Sequence, residues 1–522
     1  MPLLRFLCHR VRSFAILALP ALLGAAPAPA SPPPDLRRML ILNEDNSHFF
    51  GSRPAEQMHE AGLHAWVDQY AGTAITHLFL NPNAMRASFR SRTRDAIWDP
   101  VNGREPEGLW PQNAKRLHAA GLDPYAIWIR RAREKGLSPW LTMRMNDVHS
   151  VEVADNFMHS TFWRAHPELR RVPGGAAAPW VNHALNFSHA AVRAHQLDFV
   201  RELLERYDPD GLELDWMRFG HHLTPGRERE EGPILAGFVR EVRTLTQEWA
   251  ARRGHPIRLG VRVPTHPDAA AGLGMDAVAW ARAGLVDLIV PAPFWSTSDF
   301  DIPVELWRER LGSAAAGVAL APGVEHNSRA WLTGTSVAND LAALRGFAAA
   351  SRHRGAESLY LFNWMDNQTR PVNAEDYALL LRDGLSPAAL ARAARRHPAT
   401  YRDTVPPGFP NGAQLPIEGP AGGRVRLHLG PGTNGGAAWA IAGLAAREGV
   451  AAAELEVKLN GQPLGSPEEV PDRSRLGGAA RALRFPCPPD AVRPGYNELE
   501  LRQRAGAPAQ QIVWVEIRMD AP

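Results

Sequence analysis

Cysteine is almost absent from this 522-residue chain, which contains only Cys8 and Cys487. Cys8 falls in an N-terminal targeting segment, so the mature chain keeps one thiol and forms no internal disulfide. Its stability must come from a large core, and a chain of this length with 45% hydrophobic residues supplies one. No later apolar run is long enough for a membrane helix. No basic block is present to track a nucleic-acid backbone, because 58 Lys and Arg are interspersed with 55 Asp and Glu, for a net charge of +3. There is no HExxH, CxxC or EF-hand spacing, and the adjacent His221 and His222 point in different directions, so no metal is expected. No G-x-S-x-G elbow marks a serine nucleophile. No glycine-rich phosphate loop follows the first apolar run, which continues as Asn43-Glu44-Asp45-Asn46-Ser47-His48. What remains is chemistry that needs no cofactor.

The first 30 residues read as a signal peptide. Arg5, Arg10 and Arg12 precede an apolar stretch over 14–25, followed by Ala26-Pro27-Ala28 and Ala28-Pro29-Ala30 as small-residue cleavage sites. The alternative is an uncleaved anchor, but the apolar stretch is short for one. Export to the periplasm or beyond is expected.

From there the text alternates between short β-rich runs and helical patterns. Strands are expected at 39–46, 76–82, 137–147, 211–219, 257–264, 286–295, 316–327 and 357–364. Helices are expected at 55–70, 123–135, 188–207, 229–253 and 336–353, the second opened by the capping pair Asp123-Pro124. Eight alternating units over 36–400 imply an α/β fold, a (β/α)8 barrel of the TIM type. An open doubly wound sheet is the alternative, and the missing phosphate loop argues against it. Around 398–414 the composition turns to Pro, Gly and Thr, a linker. Over 410–522, period-two runs at 424–430, 453–461, 480–485, 497–503 and 511–519, with a tight turn at Asn460-Gly461, imply an all-β sandwich. Its "LNG" and "PGYNELEL" phrases resemble the jelly-roll modules appended to many glycosidases. Such a module either binds sugar or serves as a packing or homodimer partner, and the second role is expected.

A barrel's functional side chains sit at the C-terminal ends of its strands and in the loops just after them. That rule selects Glu44, Asp45 and Asn46; Asn81 and Asn83; Arg144, Asn146, Asp147 and His149; Glu213, Asp215 and Arg218; Glu325, His326 and Asn327; and Asn363, Trp364 and Asp366. Carboxylates converge with Trp216, Trp295 and Trp364. Aromatic faces against polar groups suit a sugar, and cleavage of its glycosidic bond needs one proton donor and one base or nucleophile. Arg144 and Arg218 at neighbouring strand ends invite an anion, unless each is held by Asp147, Glu213 or Asp215. His149 suits acid–base work, unless it is simply a surface-loop histidine. Asp215 reads as nucleophile, acid or charge partner of Arg218, and Glu213 lies deeper on the same face. Glu325 stands where many retaining barrel glycosidases carry their nucleophile, by fold analogy alone.

The run YDPDGLELDWMRF resembles a broad class of glycosyl-hydrolase-like bacterial barrels. The set Asp45, Arg144, His149, Arg218 and Asn363, in that order, resembles glycoside hydrolase family 156, the inverting exo-sialidases. The resemblance implies a sialoglycoconjugate substrate whose carboxylate is held by Arg144 and Arg218, with Asp45 and His149 as acid–base pair and Asn363 binding sugar; Asn146, Glu213 and Trp364 are further sugar-binding candidates from their places at the strand ends. Tyrosine-nucleophile chemistry is not expected, because Tyr360 has opposite strand parity to Asn363. Two readings compete: a glycosidase for a neutral or uronic sugar using Asp215 and Glu325, and a non-catalytic carbohydrate-binding protein.

Overall fold

The computed structural model describes residues 36–173, 179–366, 373–446, 455–504 and 510–522; the signal peptide expected over 1–30 lies outside them. Its first sheet is formed by β1 (Leu40–Glu44), β2 (His77–Leu80), β3 (Ser138–Arg144), β4 (Gly211–Asp215), β5 (Arg258–Val263), β6 (Leu288–Pro291), β7 (Ala319–Leu320), β8 (Gly323–Val324) and β11 (Leu359–Leu361). The nine strands run in the order β7-β6-β5-β4-β3-β2-β1-β11-β8, and every pairing is parallel. At least one helix bridges each successive pair from β1 to β7, and another, Leu341–His353, joins β8 to β11. A short antiparallel pair, β9 (Asn327–Ser328) and β10 (Val337–Ala338), follows β8.

The strands are buried along almost their whole length because both faces are covered. Leu42, Leu78, Leu141, Leu212 and Leu259 pack toward the helices, while Ile41, Phe79, Trp140, Leu288, Tyr360 and Phe362 form a separate cluster on the inner face. Trp140 fills that inner space by stacking on Phe79 at 4.8 Å. A Cβ at Gly211 would lie 2.4 Å from the Trp140 ring, so β4 must open with glycine. Asp123 caps the helix Pro124–Glu134 through the Tyr125 and Ala126 N–H groups.

The single seventh strand expected over 316–327 is two. Pro322 has no N–H to continue a ladder. Upstream of it β7 pairs with β6, and downstream β8 pairs with β11. The sheet therefore starts and ends on one short stretch of chain, where Ala321 donates to Ile289 and Pro322 accepts from Tyr360.

The C-terminal part holds two antiparallel sheets. One contains Arg395–Pro398, Ile417–Glu418, Ala438–Leu444, Glu468–Glu469, Arg481–Cys487 and Gln511–Met519; the other contains Gly423–Leu429, Leu455–Leu459, Gln462–Pro463 and Gly495–Gln503. Residues 453–454 of one expected strand lie outside the described residues. Arg395–Pro398 was not expected as a strand, and it pairs with Gln511–Met519. Its arginines disguise it. Arg396 is buried and neutralised by Glu516 and Asp340, each at 2.9 Å. The first residue of that sheet thus precedes the 398–414 linker. The two parts touch closely: a Cβ on Gly346, in the helix Leu341–His353, would lie 1.9 Å from the Arg396 carbonyl oxygen.

Candidate active site

A cleft of about 680 Å³ opens at the C-terminal ends of the strands, within the range of ligand pockets. Asp45, Asn46 and Ser47 line it after β1, Arg144, His149, Ser150, Glu152 and Trp180 after β3, and Arg218 and Phe219 after β4. Phe294 and Trp295 follow β6, His326 and Asn327 follow β8, and Asn363 follows β11. Asp45, Arg144, His149, Arg218 and Asn363, remote in sequence, thus face one cavity.

Four of these five form one chain of contacts. Arg144 joins two carboxylates, Asp45 through Nη2 and Asp147 through Nη1, the latter at 3.0 Å. Asp147 accepts from His149 at both Nδ1 (2.7 Å) and the backbone N–H (3.1 Å). Arg218 Nη2 lies 3.0 Å from His149 Nε2. An arginine only donates, so Nε2 accepts and the imidazole proton sits on Nδ1, toward Asp147. Asp45 Oδ1 also accepts from the Ser47 N–H and hydroxyl, at 2.9 and 2.7 Å.

The electrostatics follow from this chain. Burial opposes charge on Asp45, but Arg144, Arg218 and the Ser47 hydrogen bonds outweigh it and hold the carboxyl well below its usual range. Asp147 is held low in the same way, with His149 and Arg144 overcoming burial. Arg218 is the exception. Burial, then the like charge of Arg144, lower its pKa to about 10. Its Nε and Nη1 have no hydrogen-bond partner among the described residues, although the residue is only 9% exposed. The rings of Phe219, Phe294 and Phe362 surround it at 5.7, 5.9 and 5.7 Å.

Several residues expected at the site are elsewhere. Asp215 is buried, and both its oxygens accept from Arg262 Nη1, at 2.8 and 3.0 Å. Asp215 Oδ1 also accepts from the Met217 and Arg218 N–H groups. Arg262 Nη2 in turn donates to the Pro293 and Phe294 carbonyls. The pair braces the loops that carry Arg218 and Phe294 and does not line the cleft. Glu213 is fully buried beneath, accepting from Thr142 (2.5 Å) and Tyr360 (2.9 Å). Burial, then the neighbouring Asp215 charge, raise its pKa. Tyr360 therefore points into the inner face below the cleft. The parity argument fails because Asn363 has a φ of 60° and breaks the alternation.

Asn146 is spent on the Leu185 backbone and on His222. Trp364 and Trp216 are buried in the core between sheet and helices. Glu325 is fully buried and accepts from Asn363 Nδ2 on both oxygens, at 3.1 and 2.8 Å, and from His326. It positions two cleft residues and is not itself exposed to a substrate. Glu44 alternates outward from its strand to meet His48 at 2.6 Å, and Asp366 takes Arg53 and the far side of His48. Among the described residues no group of three His, Cys, Asp or Glu side chains is placed to hold a metal ion, and no helix is long and apolar enough to cross a membrane.

The reading by strand ends missed Trp180, Phe219 and Phe294. Trp180 sits in the long connection after β3, where no periodicity marks it. Phe294 lay in the expected strand 286–295, but β6 ends at Pro291 and the residue belongs to the cleft loop.

No family model matches the chain, and no curated protein matches it. Solved structures similar to it include the endo-β-1,4-mannanase from Thermotoga petrophila, at 13% identity over 91% of this chain and 97% of that one, with a TM-score of 0.43. A putative α-L-fucosidase from Bacteroides thetaiotaomicron aligns at 12% identity over 96% of this chain and 100% of that one, with a TM-score of 0.36. A glycoside hydrolase family 18 N-acetylglucosaminidase from Paenibacillus barengoltzii aligns at 11% identity over 66% and 99%, also with a TM-score of 0.36. At these scores the likenesses carry no argument about the reaction.

Proposed function

We propose that the protein is an exported, inverting exo-glycosidase that releases a terminal sialic acid or related nonulosonate. In this reading the parallel sheet is a (β/α)8 barrel closed through residues 319–324, and the cleft is its active site. One observation carries the proposal: Arg218 is a buried cation with two spare donor nitrogens, beside a second arginine, in a cavity that also holds a histidine–carboxylate pair. Buried donor nitrogens left without acceptors are costly, and a sugar carboxylate entering the cleft supplies the acceptors.

In this reading each contact of the cleft has a role in the reaction. The substrate carboxylate takes Arg218 from His149 and shares Arg144 with Asp45. Losing part of Arg144 raises the proton affinity of Asp45, which then accepts a proton from water as the water oxygen bonds to the anomeric carbon. His149, released from Arg218, takes up a solvent proton on Nε2 and gives it to the leaving oxygen as the glycosidic C–O bond breaks. Asp147 stabilises the imidazolium until that transfer. Attack opposite the leaving group inverts the anomeric carbon. Asn363, fixed by Glu325, binds a sugar hydroxyl or amide.

The test is hydrolysis of a fluorogenic sialoside by the wild type beside His149→Ala and Arg218→Ala, with proton NMR of the first-formed anomer. Wild-type turnover with inversion is expected, and a loss of about 10²–10⁴-fold for His149→Ala. Full activity in both variants contradicts the proposal, as does a wild type that cleaves no sialoside. Asp215 and Glu325 do not favour the neutral-sugar alternative, since both are enclosed by fixed partners. A non-catalytic binder would retain sugar without releasing it.

A further inference from the structure

We propose that the cleft continues into a second sugar subsite, in which Trp180 and Trp295, backed by the buried Phe294, stack the apolar face of a neutral pyranose on the leaving-group side. The inference rests on the glycosidase reading above and adds the class of sugar next to the scissile bond. Trp180 and Trp295 are each 45% exposed, whereas Trp140, Trp216, Trp280, Trp307 and Trp364 are almost fully buried. Both exposed rings line the cleft that holds Arg218 and His149. Large aromatic surface left open beside polar groups marks a binding site rather than a packing accident.

The rings form a continuous run. Trp180 stacks on Phe294 at 5.5 Å and 21°, and Trp295 meets the edge of Phe294 at 6.0 Å. Phe219 touches Trp180 and Phe294 at 5.5 and 5.0 Å, and its ring meets the His149 imidazole at 4.7 Å. The platform therefore begins at the group that protonates the leaving oxygen. That places its occupant on the aglycone side, beside His149.

The platform is also held in shape. Asp403, in the linker to the β-sandwich, is a half-buried carboxylate that accepts from three successive N–H groups: Phe294 at 2.9 and 3.0 Å, Trp295 at 3.1 Å and Ser296 at 3.2 Å. The Tyr401 hydroxyl lies 3.1 Å from that of Ser296. Trp180, Phe294 and Trp295 carry no charge, so the occupant is neutral. Ser150, Glu152 and Asn327 line the same cleft and offer partners for its hydroxyls. The substrate is then an oligosaccharide with an anionic terminal sugar on a neutral pyranose.

The test compares kcat/KM for sialyllactose with that for a sialyl fluoride, which carries no sugar aglycone, in wild type, Trp295→Ala and Trp180→Ala. Lactose alone is titrated in parallel by tryptophan fluorescence, up to about 10 mM. Each variant should lose about tenfold more on the trisaccharide than on the fluoride, and lactose quenching seen in the wild type should vanish. If the wild type cleaves neither glycoside yet binds lactose through these tryptophans, the sialidase reading falls and the platform stands. Equal losses on both substrates, or cleavage of neither, together with no lactose quenching would overturn the platform.

Discussion

Glu213 and Asp215 on the inner face of β4, and Asp45 and Asp147 just past the ends of β1 and β3, are carboxylates under nearly the same roof, yet they are treated in opposite ways. Glu213 is pushed toward its neutral form by burial and by Asp215. Asp45 and Asp147 are kept ionised by the cations of the cleft. The difference lies in how arginine donors are spent. Arg262 devotes one amino group to Asp215 and the other to two backbone carbonyls, bracing a scaffold with only its Nε left without a partner. Arg144 divides itself between Asp45 in the cleft and the buried Asp147, and Arg218 keeps two nitrogens unspent. A buried ion pair whose bonds are closed supports the cleft, and one left incomplete awaits a ligand.

The comparison breaks most visibly by removing each arginine in turn. Arg262→Met strands Asp215 without its cation, and the expected cost is about 3–5 kcal/mol in urea unfolding. Arg218→Met should do the reverse. Its kcat/KM on a sialoside falls by about 2–5 kcal/mol of transition-state binding, while its melting temperature rises because a desolvated cation with two unmet donors is gone. A melting temperature lowered as far as that of Arg262→Met would show Arg218 to be structural.

Glu213→Gln sharpens the same contrast through pH. The folded pKa of Glu213 lies above its ordinary 4.5. Below 4.5 both the folded and unfolded carboxyls are protonated and nothing is lost. As the pH rises past that value the unfolded chain ionises first, and wild-type stability falls until the folded group titrates too. The variant should therefore gain on the wild type with rising pH, by about 1 kcal/mol or more between pH 5 and pH 8. A difference independent of pH would contradict this. The smallest effect is expected from Asp403→Ala, which frees three backbone N–H groups of the aromatic loop. A loss of about 1–3 kcal/mol in stability should accompany a fall in sialyllactose turnover that exceeds the fall on the fluoride.

Much of this architecture was legible before any coordinates. The runs later found as parallel strands stood out because they are buried on both faces and bounded by turn residues. Pro322 was equally visible, and its missing N–H explains the split into β7 and β8. Arg395–Pro398 was hidden because three buried basic side chains read as a loop, and Ala438–Leu444 because its alanines and glycine suit several structures. At the site, strand-end logic brought Asp45, Arg144, His149, Arg218 and Asn363 to one cleft. It failed for Asp215, whose partner Arg262 lies on the next strand, 47 residues on, and for Asn146, whose amide serves a distant loop. Pairings of that kind depend on register across the sheet, which periodicity does not carry.

The central claim is that Arg218 receives a sugar carboxylate. It is tested most directly by calorimetric titration of free sialic acid and of its neutral C1 amide into wild type and Arg218→Met. The account predicts that the wild type binds the acid at least about tenfold more tightly than the amide, and that the preference disappears in Arg218→Met. Equal binding of acid and amide by the wild type, or a preference that survives in the variant, would contradict it.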